Sequence, residues 1–153
     1  MKKIKTLPQI KKIIKELKKE EKKIVFTNGC FDILHPGHIK LLNEAKKKGD
    51  CLVVGLNSDS SIRRIKGKKR PILNEKARGV VLEAIEVIDY IVFFKEDTPY
   101  NLIKEIRPHY LVKGADWKEE KVVGKDLVEK IFLVKLIADY STTKIIDKIK
   151  KYG

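Results

Sequence analysis

The run Cys51-Leu52-Val53-Val54-Gly55-Leu56 has no polar residue at alternate positions. A strand with one face in water would alternate, so this one is predicted to be buried on both faces, as strands are in parallel sheets covered by helices. Segments of helical period flank it. On one side Pro36 opens the spacing Ile39, Leu41-Leu42, Ala45, and on the other Asn74 caps a run through Val80-Val81, Leu82 and Ile85 to about Glu86.

The alternation continues along the chain. Leu7, Ile10, Ile13-Ile14 and Leu17 predict a helix over 7–21, with Thr6 as N-cap and Pro8 in the first turn, followed by a first strand at Lys23-Ile24-Val25-Phe26. After the apolar run, Asn57-Ser58-Asp59-Ser60 suits a turn and an N-cap, and Ile62 to Ile65 a short helix. Asp89 to Phe94 is the third strand, Thr98-Pro99 starts a helix that ends near Pro108, and Tyr110-Leu111-Val112 is the fourth strand. Residues 118–130 read as loop and helix, Ile131-Phe132-Leu133-Val134 as the fifth strand, and Ser141-Thr142-Thr143 as the cap of a last helix. The expected fold is α/β: a Rossmann-like five-stranded parallel sheet with helices on both faces. It is expected as a single domain over 1–153, an N-terminal helix within 1–21 followed by a core over 23–153.

Composition narrows the function. No stretch approaches the roughly 20 apolar residues of a membrane span, and Met1-Lys2-Lys3-Ile4-Lys5 lacks the apolar region of a signal peptide, so a cytoplasmic protein without a membrane partner is expected. Cys30 and Cys51 form no C-x-x-C and are expected as thiols. A net charge of +14 attracts polyanions at low salt. Yet Lys11-Lys12, Lys18-Lys19, Lys46-Lys47-Lys48 and Lys150-Lys151 fall among glutamates on polar helix faces, without interleaved aromatics, which describes solvated faces. A non-catalytic basic nucleic-acid-binding module is therefore a remote alternative. The absence of G-x-G-x-x-G and of G-x-x-x-x-G-K-[ST] argues against a dinucleotide dehydrogenase and a P-loop NTPase.

On such sheets ligands bind beyond the carboxyl ends of the strands. Five segments are expected there: 28–38, 57–59, 113–116, 139–143 and, through a loop, 66–70. In the first, His35 is the predicted N-cap of the helix that Pro36 opens, and His38 shares its first turn. Their imidazoles can donate to phosphate oxygens beside the helix N–H groups, while Gly29 and Gly37 admit a ligand close to the backbone. Only one further histidine, His109, exists, too few for a zinc site. Lys66 to Pro71 has no apolar anchor and is predicted to be a mobile basic loop. Two helix N-termini, loop cations and no evident general base suit phosphoryl-type transfer, where positioning and charge stabilisation do most of the work.

The decapeptide G-C-F-D-I-L-H-P-G-H resembles the G-x-F-D-x-x-H-x-G-H signature of the cytidylyltransferase-like nucleotidyltransferases. From Lys23 onward, V-F-T-N-G-C-F-D, L-V-V-G-L-N-S-D, R-R-I-K-G, R-P-I, E-D-T-P, L-V-K-G and Y-S-T-T are similar to the D-glycero-β-D-manno-heptose 1-phosphate adenylyltransferases, the nucleotidyltransferase half of bifunctional ADP-heptose synthases. That resemblance implies a stand-alone enzyme that makes ADP-sugar and pyrophosphate from ATP and a sugar 1-phosphate with Mg2+, for lipopolysaccharide synthesis. It implies catalytic roles for His35, His38, Lys66 and Arg78. Nucleotide binding would fall to Thr27, Asn28, Gly29, Cys30, Phe31, Gly37, Lys113, Gly114, Asp116, Ser141, Thr142 and Thr143, and acceptor binding to Asp32, Asn57 and Asp59. No protein ligand to the metal is assigned, and a homodimer is an open state. Ala115-Asp116-Trp117 and the S-T-T segment are similar also to the glycerol 3-phosphate cytidylyltransferases, so CTP with a polyol phosphate is the alternative.

Overall fold

In a computed structural model describing residues 2–153, five strands form one all-parallel sheet. They are β1 (Ile24–Gly29), β2 (Cys51–Asn57), β3 (Tyr90–Phe94), β4 (Tyr110–Gly114) and β5 (Lys130–Val134), in the order β3-β2-β1-β4-β5. Six helices connect or follow them: α1 (Leu7–Lys19), α2 (Pro36–Lys46), α3 (Asp59–Lys66), α4 (Glu75–Glu83), α5 (Tyr100–Ile106) and α6 (Thr142–Tyr152). The expected fold class is observed. All seven residues of β2 are buried, as its unalternating sequence required.

The period of two along each strand divides the core into two layers. Ile24, Phe26, Cys51, Val53 and Leu111 pack with Ile10 and Ile14 of α1 and with Leu102, Ile103 and Ile106 of α5. Val25, Leu52, Val54, Leu56 and Val112 pack on the other face with Leu42 and Ala45 of α2 and Leu82 of α4. Beside β3 the edge is covered: Lys5 N–H donates to Ile91 O and Ile91 N–H to Lys3 O, both at 2.9 Å, which satisfies groups that an open edge would leave free.

Several boundaries differ from the sequence expectation, each for a local reason. β1 continues through Thr27-Asn28-Gly29, because β2 offers a partner at every rung from Ile24↔Cys51 to Gly29↔Leu56. α3 begins at Asp59, capped by the Ser58 hydroxyl, and so includes Lys66 as its last residue. α4 stops at Glu83, before the Ile85 of its apolar spacing, and α1 at Lys19, two residues past its last apolar position, Leu17. Residues 118–130 hold two single 3-10 turns, Glu119–Lys121 and Lys125–Leu127.

Where the strand order reverses, β1 and β4 are paired only at Val25↔Tyr110 and Phe26↔Leu111. Beyond that point Thr27 Oγ1 donates to Val112 O at 2.8 Å, a side chain standing in for the ladder, and the two strands separate. The fold thus opens a crevice at its topological switch point.

Candidate active site

The crevice is a cavity of about 360 Å³. Asn28, Gly29, Cys30, Phe31 and Asp32 line it from the end of β1, His38 from α2, Asn57 from β2, Lys66 from α3, Lys113 from β4 and Thr142 from α6. Four of the five expected segments therefore converge directly, and the fifth arrives through Lys66 and Arg70.

The histidines are fixed by their backbone. Gly37 N–H donates to His35 Nδ1 at 3.1 Å, and His35 N–H donates to His38 Nδ1 at 3.3 Å. An imidazole that accepts at Nδ1 carries its proton at Nε2 when neutral, so both rings keep one N–H for a ligand. Their centroids lie 3.8 Å apart. Burial lowers the pKa of both, and His38 falls to about 4 through burial first, then His35 and Lys66. Both rings are neutral donors at pH 7. A Cβ on Gly37 would lie 2.8 Å from His35 Cε1, so glycine is needed there to leave room for the ring.

The expectation of free N–H groups at α2 needs correction. Pro36 has none, Gly37 N–H is taken by the imidazole, and His38 and Ile39 N–H donate to His35 O at 3.0 and 3.3 Å. The open amides belong to α6 instead: Ser141 Oγ accepts only from Lys144 N–H, at 3.0 Å, which leaves the first two N–H groups of the helix, those of Thr142 and Thr143, facing outward from its positive end. α6 and the motif are tied together, since Thr142 Oγ1 donates to Asp32 O at 2.7 Å and the Tyr140 ring stacks at 6.3 Å on His35.

The motif loop is held in an unusual backbone conformation. Phe31 and Ile33 have φ of 47° and 54°, the left-handed region that a β-branched residue rarely enters, and such strain persists only where surroundings over-determine it. Asp32 and Arg78 do so here. Asp32, 1% exposed, accepts from Ile72 N–H at 2.7 Å, Leu73 N–H at 3.0 Å and Arg70 Nε at 3.3 Å. Arg78 is equally buried and donates to Leu73 O, Cys30 O and Asp59 Oδ1 at 3.0, 2.7 and 2.9 Å.

Three expected assignments change accordingly. Arg78 and Asp59 form an ion pair with each other behind the loop and do not line the cavity. Asp32 borders the cavity, but its carboxylate fastens residues 70–73. The 66–71 stretch, expected to be a free loop, is anchored by this polar contact although no apolar side chain holds it. Thr27, expected to touch nucleotide, uses its hydroxyl within the sheet, and His35, Gly37, Gly114, Asp116, Ser141 and Thr143 stand outside the lining, His35 lying behind His38 at a centroid distance of 3.8 Å. Leu41, Ile65, Asp97, Thr98, Pro99, Trp117 and Val123, which lie outside the expected segments, also line it. The E-D-T-P and A-D-W stretches were visible signals for four of these, Asp97, Thr98, Pro99 and Trp117. Among the described residues no group of three or more His, Cys, Asp or Glu side chains is placed to hold a metal ion.

The sequence matches the cytidylyltransferase-like family over residues 26–150, the span that builds this crevice. The chain belongs to that family. Its relatives include the bifunctional protein HldE of Geobacter metallireducens, 54% identical over 99% of this chain and 32% of that protein, and HldE of Aliarcobacter butzleri, 51% identical over 97% and 31%. The chain spans about a third of the length of these relatives. The crystal structure of the lipopolysaccharide core biosynthesis protein from Thermoplasma volcanium superposes with a TM-score of 0.65 at 32% identity, covering 76% of this chain and 98% of that one. The family's shared region thus includes the paired imidazoles, the splayed strands and the α6 terminus.

Proposed function

We propose that this chain is an adenylyltransferase that joins the AMP part of ATP to a sugar 1-phosphate, D-glycero-β-D-manno-heptose 1-phosphate, releasing pyrophosphate. The observation that carries the transfer chemistry is the pair of backbone-fixed imidazoles, each with a free Nε2–H, beside the open amides of α6. The choice of acceptor is supported by identity with the HldE proteins over nearly the whole chain.

An acceptor phosphate oxygen, already ionised at neutral pH, attacks the α-phosphorus in line. The bond to the bridging oxygen of pyrophosphate breaks as the new P–O bond forms, so no residue need remove a proton and no covalent enzyme intermediate arises. His35, His38 and the Thr142 and Thr143 N–H groups bind the β- and γ-phosphates, and Lys66 offsets charge from the side of α3. Asp32 and Asp97, the carboxylates of the cavity, are already paired with Arg70 and Arg64. That suits Mg2+ carried in by the triphosphate, since this ion keeps much of its water and supplies neutralisation of phosphate charge. No helix among the described residues is long and apolar enough to cross a membrane. The proposed enzyme acts on small-molecule substrates in the cytoplasm.

Pyrophosphate release and ADP-sugar formation, measured with four nucleotides against sugar and polyol phosphates, provide the test. ATP with the heptose 1-phosphate is expected to exceed CTP by at least ~10²-fold in kcat/KM, as a base pocket that leaves polar groups unpaired with the wrong base allows. Faster reaction with CTP and glycerol 3-phosphate would replace this assignment with the cytidylyltransferase one.

A further inference from the structure

The cavity wraps around the edge of the sheet, and its two sides differ. His38 and Phe31 belong to the α2 layer. On the other face, the period of two that carries Phe26 to Asn28, Gly55 to Asn57 and Leu111 to Lys113 brings three polar side chains to adjacent strand ends. A Cβ on Gly55 would meet both Phe26 and Asn28, which confirms that shared face. The pairing Phe26↔Leu111 points Lys113 across from Asn28.

Of these groups Lys113 is the charged one. It is partly buried and has no carboxylate within ion-pair distance among the described residues, its Nζ lying instead 5.5 Å from the Trp117 ring centroid. An ammonium removed from water without a counter-charge is costly, and an anionic ligand relieves that cost. Burial accordingly lowers its pKa to about 8, against the opposing influence of Asp116 and Cys30. Arg70, another cation of the cavity, is already neutralised by Asp32. With the histidines and α6 serving one set of phosphates on the α2 side, the opposite side is left with an unpaired cation, the Asn28 amide and the Asn57 amide, whose Nδ2 already donates to Ser61 Oγ at 3.0 Å.

We propose that Lys113, flanked by Asn28 and Asn57, receives the phosphate of the acceptor and so selects a phosphomonoester substrate. This deepens the adenylyltransferase function above, replacing the nucleotide-binding role expected for Lys113. The site takes a phosphate dianion on a hydroxylated carrier, with the Asn28 amide and Asn57 Oδ1 available to its hydroxyls.

Trp117, the chain's single tryptophan, reports on this side of the cavity without turnover. Its fluorescence is titrated with the heptose 1-phosphate and with glycerol 3-phosphate, in the wild type and in Lys113→Met and Lys113→Arg, while ATP binding is followed by calorimetry. Lys113→Met is expected to weaken acceptor binding ~30-fold, the scale of one charge-assisted hydrogen bond, with ATP affinity unchanged and part of the loss restored by arginine. The titratable groups facing Lys113 are Cys30, Asp116 and, across the cavity, His38, Lys66, Arg70 and Asp97. Wild-type acceptor affinity should fall as pH rises through about 8, where the free lysine loses its proton, and the arginine variant should hold to higher pH. Unchanged acceptor affinity in Lys113→Met, a loss confined to ATP, or no acceptor binding by the wild type would overturn the proposal. Lys113-dependent binding of glycerol 3-phosphate in place of the heptose phosphate would uphold it and remove the heptose assignment instead.

Discussion

In the proposed reaction one side chain, His38, serves both folding and chemistry. Its Nδ1 accepts the His35 N–H and thereby helps to start α2, while the same bond presents Nε2–H to the cavity. Replacing either His35 or His38 with alanine should lower kcat by ~10²-fold or more, the scale of removing one preorganised donor, with folding preserved; steady-state pyrophosphate release checks this. The lowered pKa also has a thermodynamic consequence. Between its unfolded value near 6.5 and its folded value of about 4, the unfolded chain binds the proton more readily, so His38 removes stability as pH falls through that window. Thermal melts from pH 7 to 4 should show a steeper loss for the wild type than for His38→Gln. Arg78 makes the converse point: the family resemblance implies a catalytic role for it, yet its partners Cys30, Asp59 and Leu73 are brought together only by the fold. Arg78→Met should cost about 3 kcal/mol in denaturant titration by leaving Asp59 unpaired and two carbonyls without their donor.

At the scale of elements, the connection from α3 to α4 departs furthest from its sequence. Lys68 and Lys69 are exposed and Gly67 has φ of 95°, so the start of the stretch is as unanchored as its composition suggests. Its end is held by Asp32, which sits some forty positions earlier in the chain and cannot be recognised as a partner from local pattern. Asp32→Asn keeps the shape but removes the charge from the Arg70 contact. Trypsin should then cut between Arg64 and Arg70 faster than in the wild type, and saturating ATP with Mg2+ should slow cleavage in the wild type. Equal cleavage in both proteins would remove Asp32 as the fastening.

Across the whole molecule, strand identities and the parallel sheet were legible because β1 to β5 are short apolar runs set between helical periods, and β2, buried on both faces, has no polar alternation at all. The location of the site followed from topology. Which groups were free within it did not follow: the amides of α2 are consumed by its own cap, while those of α6 remain, a difference of individual hydrogen bonds that no spacing encodes. The charge of +14 is likewise a property of the whole surface. Its lysines pair along helices, as in Lys19 with Glu16 and Lys47 with Glu44, so binding to duplex DNA should appear at low salt and collapse between about 50 and 200 mM, while ATP turnover persists. α6 is the loosest part of the assembly, with no buried residue and Ile149 and Tyr152 exposed at 61% and 80%. Thr142, at its first position, joins it to the motif loop, and the proposed phosphate site lies at the same end. Under that proposal a ligand there supplies cohesion that the core does not, and nucleotide binding becomes in part the last step of folding. In hydrogen exchange, the amides of the first turns of α6 should gain protection with triphosphate far more than those of β1 or β2.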